Sequence, residues 1–296
     1  MKSLAFVHRN DSRSAVGDFS PVVSVFSHYE LGNTVSPFLL LDHIGPGRLL
    51  VGTPPKGVND HPHRGFETVT IVYAGEIEHR DSAGGGGLVG AGDVQWMTAA
   101  SGVVHRELFS AAFGRTGGPF EMVQLWVNLP AANKMDPAHY QSLSRDAIPV
   151  IELPGSIGTV RVIAGQFNGK TGPARTHTRM NVLDVRLKAH AEAAFPTEAG
   201  DTALVYLLSG RLRFAADEEM EDQGMAVMSQ HEADVSVTAM ENSRFLVLSG
   251  ARIDEPLNAH GPFVMNTYDE ILQAYDDFRN GRLTSHAPLP DGKTNA

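Results

Sequence analysis

The stretch His61-Pro62-His63-Arg64-Gly65-Phe66-Glu67-Thr68-Val69-Thr70-Ile71-Val72-Tyr73-Ala74-Gly75-Glu76-Ile77-Glu78-His79 reads as a strand, a tight turn and a returning strand. Val69, Ile71 and Tyr73 fall on one face of Thr68 to Tyr73, the period-two pattern of a β-strand with one side buried. Ala74-Gly75 turns the chain, and Glu76 to His79 comes back as the second arm of a hairpin. Just ahead lie two histidines at i and i+2. In an extended chain such side chains project to the same face about 6.6 Å apart, close enough to converge on one ion.

Working outward, Gly84 to Gly87 reads as a hairpin tip, and Gly90-Ala91-Gly92-Asp93 as a turn before the strand Val94 to Met97. Gly102 precedes Val103 to Phe109, which carries His105 and Glu107, and Met122 to Leu129 reads as a further buried strand. The strand, glycine turn, strand order returns in Leu204 to Phe214, followed by runs at Gly224 to Met228 and Phe245 to Ser249. The expected fold is all-β, with two small β-barrels in tandem and few helices. Residues 1-140 are read as the N-terminal barrel with the candidate metal site, 141-260 as a second barrel and 261-296 as a C-terminal helix and tail, with the joint in Asn133 to Pro149. Thr267 with Glu270 forms a capping box, and Ile271, Tyr275 and Phe278 recur at helical spacing until Asn280-Gly281 stops the run. The tail from Thr284 to Ala296 is expected to be disordered.

Composition narrows the function classes. Thirty Gly and 17 Pro among 296 residues fit a turn-rich chain of strands, and 42% hydrophobic residues suffice for folded cores. Lys and Arg number 24 against 34 Asp and Glu, a net charge of -10 that opposes direct binding to nucleic acid or anionic membranes. With no cysteine, disulfides, thiolate metal sites and cysteine nucleophiles are excluded, so any metal has nitrogen and oxygen ligands. Met1 to Asp11 meets charge too early for a secretory leader, and no run reaches transmembrane length, so a cytoplasmic protein is expected.

With 13 histidines, one His-x-His pair is close to what chance supplies. A second pair, His105 and Glu107, repeats the spacing on another expected strand, and His61, His63, His105 and Glu107 together form a candidate site for one divalent metal. Three neutral imidazoles and one carboxylate leave a six-coordinate ion two open positions, a site suited to chemistry or sensing rather than to structure alone. These ligands accept iron, manganese, cobalt, nickel, copper or zinc. His177, His190 and His231 stand alone and are left out of the site. Arg64 and Glu67 read equally as an ion pair or as supports behind the ligands; Phe66, Trp96 and Trp126 read as core, and Gln124 as a residue that could face the cavity. The glycines at 84 to 87 lack the Gly-Lys-Ser/Thr of a phosphate loop, and neither a Gly-x-Ser-x-Gly elbow nor a dinucleotide fingerprint occurs.

The residue set resembles the cupin superfamily. His61, His63 and Glu67 fit its first motif, and Gly102-Val103-Val104-His105 its second, although the first motif's leading Gly spacing is short, the second lacks its Pro, and Glu107 is an addition that competes with Glu67 as fourth ligand. Asp60 to Val69, Gly92 to Ala99, Gln124 to Pro130 and Gly261 to Thr267 together resemble the pirin family. That resemblance implies a bicupin whose N-terminal barrel holds iron through His61, His63, His105 and Glu107, with Glu67 off the metal and the C-terminal barrel without one. It further implies dioxygen-dependent cleavage of a small aromatic flavonol such as quercetin, releasing carbon monoxide, with Glu107 taking the 3-hydroxyl proton. The alternative it implies is an iron-dependent regulatory protein that acts through a protein partner.

Overall fold

The computed structural model describes residues 1–82, 84–215 and 218–284. It is built mostly of strands, with few helices, one of them near the C-terminus. No helix is long and apolar enough to cross a membrane.

The chain divides into two compact units that interleave in sequence. One comprises Arg13–Val22, His43–Ser142 and the segment from Asp254 onward; the other comprises Met1–Ser12, Val23–Asp42 and Leu143–Ile253. Three consecutive segments were expected, with boundaries at 140 and 260. The structure instead returns distant pieces of chain to each unit, because open strand edges are satisfied by whatever backbone reaches them. Leu4–His8 pairs antiparallel with Met225–Met228, Leu4 opposite Met228 and His8 opposite Met225. Lys2 Nζ reinforces that edge by donating to the carbonyls of Asp201 and Ser229 at 3.2 and 3.0 Å. Correspondingly, Arg64 makes a parallel bridge to Phe263, which ties the C-terminal segment to the turn after His63.

The unit carrying the histidine pairs has a four-stranded sheet ordered Gly57–His63, Val103–Phe109, Glu76–Asp81, Gly86–Gly90. A seven-stranded sheet runs His139–Leu143, Val94–Thr98, Phe66–Ala74, Gly118–Asn128, Phe38–Leu49, Phe19–Ser27, Arg13–Val16, and its strands Phe19–Ser27 and Phe38–Leu49 continue along the chain into the other unit. The first half of Phe66–Ala74 is buried on both sides, since its alternate residues Thr68 and Thr70 are as enclosed as Val69 and Ile71. The expected glycine tip is shorter than Gly84 to Gly87, because Gly86 and Gly87 already pair with Arg80 and His79. The C-terminal helix spans Tyr268–Arg279, with the Thr267 and Glu270 capping box formed. Residues 285–296 of the expected disordered tail lie outside the described residues.

The second unit repeats the plan. Its seven-stranded sheet runs Leu4–His8, Met225–Met228, Thr202–Ser209, Ser243–Gly250, Met180–Leu187, Gly158–Ala164, Val150–Glu152; its four-stranded sheet runs Glu192–Phe195, Val235–Ala239, Arg211–Arg213, Glu219–Glu221. Phe195 packs between Phe167 and Phe245, both with ring centroids at 5.8 Å, within a cluster of buried apolar side chains.

Asp42 of this unit is the one described acid pushed up to about 6, by burial that a hydrogen bond from Ser24 only partly offsets. A raised folded-state pKa means that its stabilising contribution is complete below pH 4 and is lost as pH rises through 6. Asp42→Asn, which mimics the neutral acid, should melt close to the parent at pH 4 and a few degrees above it at pH 8, a difference of about 3 kcal/mol at most. Parallel thermal melts at the two pH values measure this.

Candidate metal centre

Strands Gly57–His63 and Val103–Phe109 lie side by side, with Val103 opposite His63 and His105 opposite His61. The register then shifts, and Glu107 faces Val58, so two steps on one strand match three on the other. His61 and His105 are thus paired by the regular register, and the bulge at Asn59-Asp60 beyond them sets Glu107 opposite Val58 rather than Asn59. The rings of His61, His63 and His105 are mutual neighbours, with centroids 4.8 Å apart for His61 and His63, 4.2 Å for His61 and His105 and 4.9 Å for His63 and His105. Each offers one nitrogen to a set whose atoms all lie within 4.8 Å of one another.

The electrostatics favour ligand-ready imidazoles. His63 and His105 are buried, and burial first, then neighbouring imidazoles, holds both well below the usual histidine range; a hydrogen bond to the Pro262 carbonyl opposes this at His63. Both rings are therefore neutral at pH 7, with lone pairs available. His61 Nδ1 donates to the Asn59 carbonyl at 2.8 Å, which leaves its Nε2 as the acceptor. His63 Nδ1 and His105 Nε2 are buried without a hydrogen-bond partner, a costly state for two polar atoms facing one small space unless a cation sits between them.

Glu107, the expected fourth ligand, belongs to a second set of three, with His105 and His79, whose ligand atoms also lie within 4.8 Å of one another. Its Oε1 accepts from Thr70 Oγ1 at 3.3 Å, and the same hydroxyl lies 2.5 Å from Gln124 Oε1. Thr70, Gln124 and Glu107 thus make a polar wall beside the histidines. Glu67 is in neither set; its Oε1 accepts from Thr98 at 2.7 Å within the sheet. Arg64 turns away from the histidines, donating to the Ser101 carbonyl at 2.6 Å and to Asp277 at 2.8 Å. Phe66 and Trp96 are core, as expected, whereas Trp126 is only half-buried and stacks beside Phe66 at 4.3 Å and His63 at 5.4 Å, so that it lines the site. His177, His190 and His231 join no such set among the described residues.

Sequence reasoning missed His79, Asp81, Thr70 and Lys134. His79-Arg80-Asp81 has the same i, i+2 form as the two ligand pairs, a signal that was available. Lys134 carries none, because two of its three partners, Gly65 and Val264, are remote in sequence. Its side chain is fully buried, and Nζ donates to the Gly65 carbonyl at 2.6 Å, Asn128 Oδ1 at 2.6 Å and the Val264 carbonyl at 2.9 Å. Burial pulls its pKa down to about 7, while Glu255 and Glu270 pull the other way. Gly65 accepts this packing because a Cβ there would stand 1.9 Å from the Val264 oxygen, and its φ of +88° is in the left-handed region.

The family model described as Pirin matches residues 20–127, and that of the pirin C-terminal cupin domain matches residues 182–284. The chain is 48% identical over 283 residues to a Pseudomonas aeruginosa protein provisionally named a quercetin 2,3-dioxygenase, a match covering 96% of this chain and 99% of that one. It is 37% identical over 258 residues to human pirin, covering 86% and 84% of the two chains. The crystal structure of quercetin 2,3-dioxygenase from Acinetobacter baumannii matches with a TM-score of 0.94 at 44% identity, over 96% of this chain and 99% of the other.

Replacing Lys134 by Met keeps most of the buried stem and strips three enclosed acceptors of their donor. The expected loss is about 3 kcal/mol, read as a fall of several degrees in the melting temperature. An unchanged melt would show that the ammonium does not hold the Gly65 turn.

Proposed function

The chain belongs to the pirin family, and we propose that His61, His63, His105 and Glu107 hold one divalent metal, iron first among the candidates, at which a flavonol is cleaved by dioxygen. The observation that carries this reading is the pair of buried, unpartnered nitrogens, His63 Nδ1 and His105 Nε2, facing the same space as His61. The donor set fits the group: neutral imidazoles with one carboxylate on an adjoining wall suit a metal that keeps positions open for substrate. When bound, such an ion supplies Lewis-acid polarisation of the substrate's adjacent hydroxyl and carbonyl oxygens and the electronic route to dioxygen.

The protein's own groups have separable tasks. Trp126 and Phe66 offer an aromatic wall beside His63 against which a flat flavonol ring system stacks. Glu107, loosely held by the ion or swung off it, is the general base that takes the 3-hydroxyl proton, and Thr70 donates to its Oε1. Gln124, engaged by the same threonine hydroxyl, keeps that wall polar. The burial of His63, His105 and Glu107 excludes bulk water from the deprotonated substrate. The net reaction consumes one dioxygen per flavonol and yields a phenolic ester and one carbon monoxide.

Metal-loaded protein should bleach quercetin only in the presence of oxygen, with one carbon monoxide released per flavonol consumed. Glu107→Gln should lower kcat about 100-fold or more while metal stays bound. Full activity in that variant contradicts the role of Glu107, and a loaded parent without turnover contradicts the dioxygenase reading.

A further inference from the structure

His79 and Asp81 lie behind the site on the strand Glu76–Asp81, where Asp81 is opposite His105 and His79 opposite Glu107. All four are buried, His79 and His105 completely. His79 Nε2 lies 3.4 Å from Asp81 Oδ2, and His79 Nδ1 lies 3.3 Å from His105 Nδ1. Between these atoms the protons have one consistent arrangement. A carboxylate only accepts, so His79 donates from Nε2 and presents Nδ1 as an acceptor. His105 then donates from Nδ1, and its Nε2 keeps the lone pair that faces His61 and His63.

We infer that Asp81 and His79 form a two-step relay that sets the tautomer of His105 and so makes it a metal ligand. This rests on the reading that His105 binds metal. A ligand histidine commonly donates its second N–H directly to a carboxylate or carbonyl. Here a second imidazole is interposed between the two. The relay also explains why His79 is a support rather than a ligand although it belongs to a set of metal-binding geometry: one of its nitrogens is committed to Asp81 and the other to His105. Asp81 is itself fixed, since Oδ1 accepts from the Gly85 amide at 2.9 Å across the turn.

Asp81→Asn is the decisive variant, because it keeps an acceptor for the Gly85 amide and places an N–H donor where Oδ2 faced His79. The chain of protons then reverses: His79 accepts at Nε2 and donates from Nδ1, and His105 carries its proton on Nε2, where it blocks the ligand lone pair. Nitrogen-15 long-range NMR of the metal-free protein should show the Nδ1–H tautomer of His105 in the parent and the Nε2–H tautomer in Asp81→Asn. Cobalt(II) affinity, measured by competition with a chromophoric chelator, should fall about 10- to 100-fold in Asp81→Asn. His79→Phe should weaken binding in the same range, whereas His79→Gln, whose amide oxygen can still accept from His105 Nδ1, should restore most of it. This second pair carries the test if Asp81→Asn does not fold. Unchanged tautomer and affinity in Asp81→Asn, or equal affinities for His79→Phe and His79→Gln, overturn the relay and leave the metal site standing. A variant with His61, His63 and His105 all replaced by Ala that takes up cobalt as well as the parent overturns both.

Discussion

Three imidazole rings meet in one small space where two of their nitrogens, His63 Nδ1 and His105 Nε2, are buried without a hydrogen-bond partner, and much of the surrounding structure bears on that arrangement. Desolvation keeps His63 and His105 neutral, the regular register sets His61 opposite His105, and the bulge at Asn59-Asp60 sets Glu107 opposite Val58. Without the bulge, strict alternation would still put each pair on one face, but it would change which residues meet across the two strands. The constraint is therefore one of register more than of residue type.

The supports around the histidines come from distant parts of the chain. The Pro262 carbonyl reaches His63, Arg64 is tied to Asp277, and Lys134 gathers the carbonyls of Gly65 and Val264 around one ammonium. Gly102 likewise has no room for a side chain, since a Cβ would meet the Leu283 oxygen at 2.5 Å. The C-terminal segment is thus part of the wall that positions the first ligand pair. The partly buried ion pair of Arg64 with Asp277 adds little net stability, but it fixes the placement of the chain between His63 and Phe66.

Much of this was legible from local pattern. Alternation marked the strands near Val69 and Val103, the capping box marked the helix, and the repeated i, i+2 spacing brought out His61, His63, His105 and Glu107. Spacing did not reveal which glutamate neighbours the histidines; the structure places Glu107 with His105 and engages Glu67 with Thr98. The interleaving of the two units was hidden because the partner of Leu4–His8 is Met225–Met228, a pairing that no short-range periodicity encodes. Lys134 was hidden for the same reason: a lone lysine in an apparent linker looks like surface until Gly65, Asn128 and Val264 close around it. His79 and Asp81 show the spacing of a ligand pair, and their part as supports emerges only from the ring of neighbours that uses up their donors and acceptors.

The chemistry proposed for this chain depends on His61, His63, His105 and Glu107 holding a metal. X-ray absorption on the full chain loaded with one equivalent of iron(II) tests it most directly, because multiple scattering from imidazole rings counts the histidines bound to the metal. Three imidazoles with one carboxylate, falling to two imidazoles in His105→Ala, is the predicted result. An iron spectrum with fewer than three imidazoles, or one that His105→Ala leaves unchanged, would contradict it.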